Sequence, residues 1–68
     1  MEAMTAGLGI GWAVQTMEAG TRVRRASWPP LWWMSIDDGH ITIHDGDGRQ
    51  WLGPGSAGAL AKDWGVAG

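Results

Sequence analysis

The sequence has no cysteine, no phenylalanine and no tyrosine, and it has only three prolines. The lack of cysteine excludes disulfide bonds, cysteine-ligated zinc and thiol catalysis. No apolar run reaches the roughly 20 residues that a membrane-spanning helix needs. Basic residues are also scarce, because five Lys and Arg face seven Asp and Glu, for a net charge of −2. This balance argues against general binding to DNA or RNA, which requires clustered positive charge.

The N-terminus carries an acidic residue and no basic segment ahead of an apolar run. It therefore does not look like a secretory signal peptide. We expect an intracellular protein that contacts neither a membrane nor a nucleic-acid polymer.

Tryptophan and glycine are abundant instead, with six Trp and twelve Gly among 68 residues. A chain of this length forms one small domain, which buries only about 60% of its unfolded surface and is marginally stable alone. Trp is large, is seldom fully buried, and its indole N–H needs an acceptor. Six Trp exceed what one small core can hide, so we expect some of them at subunit interfaces or in a ligand site.

The hydrophobic pattern predicts a single domain over residues 10–68, preceded by a Gly-rich arm over residues 1–9. An apolar stripe with helical spacing runs through Ile10, Ala13, Val14 and Met17. Gly20 suits a helix C-terminus, so this helix should end near Ala19. Trp12 lies about 200° around the helix from Ile10, off the apolar stripe.

Alternation and turn residues predict strands over 21–28, 31–36, 40–44 and 49–52, with a short edge strand over 63–66. Tight turns are predicted at 37–40 and 45–48, and Ser56 is expected to cap a short helix that runs to about Lys62. The expected fold is α+β, with a small antiparallel β-sheet, an N-terminal helix packed on it and a short C-terminal helix.

Signatures of catalysis and of metal binding are weak in this sequence. The glycines at 7, 9 and 11 lack the strand that precedes a dinucleotide fingerprint, and the segment 53–60 lacks the Lys of a P-loop. His40 and His44 would lie about 13 Å apart on a strand, too far to share a metal ion. We therefore expect no enzyme, no metal and no cofactor.

Binding chemistry remains, near the end of the first predicted strand. Arg24 and Arg25 come shortly before Trp28, so guanidinium groups for phosphate lie near an indole face on which a base can stack. Stacking of this kind contributes about 1–3 kcal/mol per base. The alternative is that the Trp residues form the core and that the arginines are a solvated strand face.

Two stretches of the chain carry a resemblance to a known family. The first stretch reads Ile10-Gly11-Trp12-Ala13-Val14, then Met17, Gly20, Val23, Arg24-Arg25 and Trp28. The second reads Asp45-Gly46, Trp51, then Leu60-Ala61-Lys62-Asp63-Trp64 and Val66. Their order and spacing resemble the Thoeris anti-defense family of the second type, which consists of phage-encoded sponges, and the match runs from about residue 10 to residue 66.

The resemblance implies a compact α+β protomer that assembles as a homotetramer. It implies a phage protein in the cytoplasm of the infected bacterial host that sequesters cyclic nucleotide immune signals and does not cleave them. The signals are glycocyclic ADP-ribose from TIR-domain proteins and, for some members, cyclic dinucleotides of CBASS.

Carried over by motif, the first candidates for ligand contact are Arg25 and Trp28, then Trp51, with Arg24 beside them. For Asp63 a ligand contact and a structural role stay open, and for Trp12 a subunit interface and a ligand pocket stay open. Two features depart from many relatives: the turn at 37–39 is short, and Gly55 and Gly58 replace a Ser and an Asp.

The leading alternative is a structural or protein-interaction module of a phage or prophage, with Trp-rich surfaces that bind protein. Thermal shifts with cyclic nucleotides separate the two hypotheses, because only the sponge should be stabilised by such ligands.

Overall fold

A computed structural model describes residues 8–67. Two helices and five strands follow in the order α1 (Ile10–Glu18), β1 (Val23–Arg25), β2 (Trp33–Asp37), β3 (His40–His44), β4 (Gln50–Leu52), α2 (Gly55–Leu60) and β5 (Trp64–Val66). The strands form one antiparallel sheet in the order β4-β3-β2-β1-β5. The predicted α+β class, the N-terminal helix and the short C-terminal helix are confirmed.

Helix α1 forms because its apolar stripe meets the sheet. Ala13 and Met17, two members of the predicted stripe, are fully or nearly fully buried. The helix ends at Glu18, and Gly20 then takes a φ of 95°, a left-handed conformation that glycine adopts without a steric penalty. The core that results consists of Ala13, Met17, Val23, Met34, Ile43 and Trp64.

The hairpin between β2 and β3 is set by its turn residues. Asp38 and Gly39 both have positive φ, 55° and 82°, as a two-residue type I′ turn requires. The turn fixes the register at Asp37 opposite His40 and thereby pairs Met34 with Ile43. Both of those side chains lie on the buried face of the sheet.

The sheet has one covered face and one that we call the open face. Both helices pack on the covered side: α1 contacts β1, β2 and β5, and α2 contacts α1 and Trp64. The open face carries the alternate side chains of the strands and of the residue before β1. Its members are Arg22, Arg24, Trp33, Ser35, Asp37, His40, Thr42, His44, Gln50 and Leu52.

Several predicted boundaries were wrong. Strand β1 begins at Val23 and not at residue 21, and β2 covers Trp33–Asp37 and not 31–36, because a turn hydrogen bond from the Trp32 N–H to the Pro29 carbonyl precedes it. Strand β1 ends at Arg25 and not at residue 28, because the N–H of Trp28 donates to the Arg25 carbonyl and closes a turn. Helix α2 covers Gly55–Leu60 and has Pro54 at its N-cap, so Ser56 does not cap it and it stops before Lys62.

The predicted N-terminal arm lies outside the described residues except for its last two positions. Leu8 forms an isolated β-bridge with Trp64, whose N–H donates to the Leu8 carbonyl at 3.0 Å. Gly9 is the N-cap of α1. The folded domain therefore includes residues 8 and 9.

Neither helix of the described chain is long and apolar enough to span a lipid bilayer.

Candidate functional site

Arg25 is engaged by an internal carboxylate. Its Nε donates to Oδ1 of Asp63 at 2.8 Å, and the N–H of Ser27 donates to Oδ2 at 3.3 Å. The hydrogen bond from the guanidinium lowers the pKa of Asp63 below its ordinary 3.8, so the ion pair persists into more acidic solution than an isolated Asp would allow. Two predicted ligand contacts therefore form an ion pair that ties β1 to the segment before β5.

Arg24, another predicted ligand contact, points at main-chain oxygens of the loop over residues 26–32. One amine of its guanidinium, Nη2, donates to the carbonyls of Trp28 at 2.6 Å and Pro29 at 2.9 Å, and Nε donates to the carbonyl of Trp32 at 3.3 Å. A planar fork is suited to several acceptors at once. We call this set of three hydrogen bonds the Arg24 clamp, and it fixes the loop that carries two tryptophans.

Four tryptophans form a continuous row. Trp64 is fully buried, and Trp28 meets it edge-on with a centroid separation of 5.3 Å. Trp28 and Trp32 are 6.1 Å apart, and Trp32 meets Trp51 edge-on at 5.0 Å. The row ends at the surface, where Trp51 is 38% exposed. The structure thus joins two predicted site residues, Trp28 and Trp51, through Trp32.

Trp12 lies apart from this row. It is half-buried on α1 and packs against the margin of the core. It lines neither of the two cavities described below.

Three side chains on the open face form a stack that the sequence pattern did not predict. The guanidinium carbon of Arg22 lies 4.0 Å from the centroid of the Trp33 ring, and the imidazole of His44 stacks on the same ring at 3.9 Å with an interplanar angle of 11°. We call it the Arg22–Trp33–His44 stack. A cation over an indole face is a favourable contact. The alternating pattern predicts which face of its own strand each of Arg22 and Trp33 occupies. It does not predict which residues of neighbouring strands lie opposite one another, so the contact between these side chains could not be foreseen.

The stack continues into a polar network. Nε2 of His44 lies 2.7 Å from Oδ2 of Asp37, and the hydroxyl of Ser35 donates to Oδ1 of Asp37 at 2.7 Å. The hydrogen bonds from Ser35 and then His44 lower the pKa of Asp37 below its ordinary value. A carboxylate thus holds the imidazole in place against the indole.

Two cavities flank the stack. The first, which we call the arginine cavity, has a volume of about 300 Å³, and the second, the β4 cavity, has about 360 Å³. The arginine cavity is lined by Arg22, Arg24, Pro30, Leu31, Trp32, Trp33 and Ala67. The β4 cavity is lined by Asp37, His40, Thr42, Gln50, Trp51 and Leu52. Both volumes are at the low end of small-molecule sites.

The arginine cavity combines positive charge with indole surface. The clamp and the Asp63 pair occupy two of the three clustered arginines, whereas the Arg22 side chain forms no hydrogen bond or salt bridge within residues 8–67 and feels the charge of Asp37 only at longer range. None of its guanidinium donors is used by another described residue. This arrangement can bind a phosphorylated ligand.

No group of three His, Cys, Asp or Glu side chains suited to a metal ion occurs in the part of the chain that the structure describes.

Comparison with protein-family profiles, curated proteins and solved structures finds no match.

Proposed function

We propose that this protein binds and sequesters a nucleotide in the arginine cavity. One observation carries the proposal: the Arg22 guanidinium rests on the Trp33 ring, beside a cavity of about 300 Å³, and its side chain forms no hydrogen bond or salt bridge in the chain from residue 8 to residue 67. An unpaired guanidinium donates strong, charge-assisted hydrogen bonds to phosphate oxygens. Indole surface next to it suits a base or another flat ring.

The lining of this cavity supports sequestration rather than turnover. Its described residues comprise two arginines, two tryptophans and three small or apolar residues. General acid–base catalysis needs a side chain that exchanges a proton near neutral pH, such as His, Asp or Glu. None of the described lining residues is of that kind, so a bound ligand would be held unchanged.

The resemblance in the sequence suggests which nucleotides to test. Under this proposal the protein is a phage-encoded sponge that acts in the cytoplasm of the infected bacterium as a homotetramer. Its ligands are glycocyclic ADP-ribose from TIR-domain proteins of Thoeris and cyclic dinucleotides of CBASS. Capture of the signal would keep the host defence inactive.

The direct test is calorimetric titration of the purified protein with glycocyclic ADP-ribose and with cyclic dinucleotides. After heat denaturation of the complex, the ligand should be recovered intact, and a cleaved product would identify an enzyme instead. Arg22→Gln should weaken binding at least tenfold, because a hydrogen bond to a charged group contributes about 1.5–3 kcal/mol. Arg49→Gln is the matched control, because Arg49 is exposed in the turn before β4 and lines neither cavity.

A second variant tests the tryptophan row. Trp28→Ala should weaken binding by a large factor through a less ordered loop, because Trp28 does not line the arginine cavity but packs against Trp32, which does. Circular dichroism and a thermal melt must show that the variant folds. A folded Trp28→Ala protein that binds normally would exclude Trp28 from the site but would leave the role of Arg22 open to its own test.

The alternative function is that of a structural or protein-interaction module. The observation in its favour is a set of highly exposed leucines, namely Leu31 at 71%, Leu52 at 74% and Leu60 at 80%. Of these, Leu52 adjoins the 38% exposed Trp51 in β4, and neighbouring exposed apolar side chains are typical of surfaces that bind protein. If no cyclic nucleotide shifts the melting temperature, the interaction module becomes the better explanation.

A further inference from the structure

The two edges of the sheet differ in how they are protected. Strand β5 lies at one edge, where Leu8 pairs with Trp64 and covers part of the backbone. Strand β4 lies at the other edge, and within residues 8–67 it pairs only with β3. An unpaired strand edge presents free N–H and C=O groups and is a template for another strand.

The register shows which groups of β4 point outward. The N–H of Gly53 donates to the Ile41 carbonyl at 3.2 Å, and the N–H of Asp45 donates to the Arg49 carbonyl at 3.1 Å. Hydrogen-bonded pairs alternate along an antiparallel ladder, so the pair midway between these two, Ile43 with Trp51, is hydrogen-bonded as well. The backbone groups of the two neighbours of Trp51 therefore point away from the sheet.

Those two neighbours are Gln50 and Leu52. Each presents one outward N–H and one outward C=O, which gives two donors and two acceptors along a three-residue strand. All three residues of β4 are exposed and none is charged. Edge strands of monomeric proteins are commonly protected by Lys, Pro or a bulge, and Gln50-Trp51-Leu52 has none of these.

We propose that β4 pairs antiparallel with β4 of a second copy of this chain, about a twofold axis that passes beside Trp51. Gln50 then lies opposite Leu52 of the partner subunit, and Leu52 lies opposite Gln50 of the partner subunit. Each of these two positions exchanges two N–H···O bonds, so four hydrogen bonds use every outward group of both strands. The two sheets join into one sheet of ten strands.

Self-complementarity identifies the partner as a second copy. The strand has equal numbers of outward donors and acceptors, placed symmetrically about Trp51, which is the arrangement that an isologous interface requires. Trp51 occupies the non-hydrogen-bonded position of the new pair, where opposite side chains are closest. Its 38% exposed indole and the 74% exposed Leu52 gain burial there. This pairing depends on backbone geometry alone, so it does not depend on the proposed ligand.

The first test is amide hydrogen exchange measured by NMR across a dilution series. We expect the N–H groups of Gln50 and Leu52 to be protected at high protein concentration and to exchange faster on dilution. The N–H of Trp51 is an internal control, because its bond within the sheet protects it at every concentration. Rapid exchange of Gln50 and Leu52 at all concentrations would overturn the proposal.

The second test is the mass in solution of Leu52→Pro. The Leu52 N–H points outward, so proline removes no hydrogen bond within the sheet and blocks the new pair, and prolines are tolerated at such edge positions. The mass should fall to half of the wild-type value. If proline prevents folding, Leu52→Lys tests the same edge through a charged side chain.

The matched control is Leu60→Ser, which removes an equally exposed leucine from α2 and should leave the mass unchanged. A wild-type protein that is monomeric at every concentration would refute the pairing. So would a folded Leu52→Pro or Leu52→Lys variant with the wild-type mass.

Discussion

The substitution Gly58→Ala is a sharp test of the packing around α2. The gain in helix propensity that alanine brings and the steric overlap of its methyl group have opposite effects on stability there. Alanine in place of glycine within a helix normally stabilises a protein by up to about 1 kcal/mol. Gly58 lies in α2 and is buried. A Cβ atom added to it would lie 2.5 Å from Cβ of Pro54 and 3.6 Å from Cζ2 of Trp64.

The structure indicates that the steric effect is the larger one. Carbon atoms in contact are about 3.5–4.0 Å apart, so the new methyl group would overlap Pro54 by about 1 Å. The proline ring is stiff, and the buried Trp64 closes the other side. Overpacking of this kind costs about 1–3 kcal/mol. After a helical gain of about 1 kcal/mol is subtracted, we expect Gly58→Ala to lower the free energy of unfolding by up to about 2 kcal/mol.

Gly11→Ala is the control, because it makes the same change in α1, where no atom lies within 4 Å of the added Cβ. It should raise the free energy of unfolding by about 0.5–1 kcal/mol. In a domain of this size, 1 kcal/mol corresponds to a shift of about 4–8 °C in Tm. The two variants should therefore shift Tm in opposite directions in a calorimetric or fluorescence melt. Stabilisation of similar size by both variants would refute the packing described around Gly58.

Three further substitutions test the contacts around the candidate site. Trp64→Phe removes the indole N–H that donates to the Gly58 carbonyl at 3.1 Å, while the N–H of Ala61 still donates to that carbonyl, and urea titration should show a loss of about 0.5–1.5 kcal/mol for the lost hydrogen bond. Asp63→Asn removes the carboxylate whose pKa is lowered by Arg25. In the wild type, the ion pair with Arg25 stabilises the fold fully above pH 3.8, the ordinary pKa of Asp, and this stabilisation is lost as the pH falls through the lowered pKa. Melts of wild type and variant should therefore differ at neutral pH and converge in strong acid, and a constant difference would contradict the ion pair. Arg24→Lys keeps the charge but loses the fork, so the loop should become sensitive to proteolysis while circular dichroism stays unchanged.

Local sequence determined the elements that depend on neighbouring residues. The apolar stripe through Ala13 and Met17 correctly predicted helix α1, and the turn residues Asp38 and Gly39 correctly predicted the hairpin between β2 and β3. Glycines suited to positive φ ended these elements where the pattern predicted. Boundaries set by tertiary contacts were less accurate, as β1 shows, because its last residue and the turn after it are held by Asp63, which accepts from Arg25 Nε and from the N–H of Ser27.

The roles of the arginines could not be predicted in the same way. Arg25 meets Asp63, which is 38 positions away in the chain, and Arg22 meets a ring on a neighbouring strand. Alternation shows which face of a strand a residue occupies, but only strand order and register show what lies opposite. The sequence motif therefore pointed to Arg24 and Arg25 as ligand contacts, but Arg24 bonds to main-chain oxygens and Arg25 bonds to Asp63. Arg22, the third of these clustered arginines, forms no hydrogen bond or salt bridge within residues 8–67, and its position beside the cavity was identified only from the fold.

The Arg24 clamp has a consequence for how this protein can change over generations. All three acceptors of the clamp are main-chain oxygens, which every amino acid supplies. Substitutions at Pro30 and Leu31, which line the arginine cavity and take no part in the clamp, therefore leave the loop anchored. Loops that vary on a fixed scaffold are where binding proteins acquire new specificities. Positions 30 and 31 can thus diversify with little cost to folding, and under the proposed function such changes would alter which ligand the arginine cavity accepts.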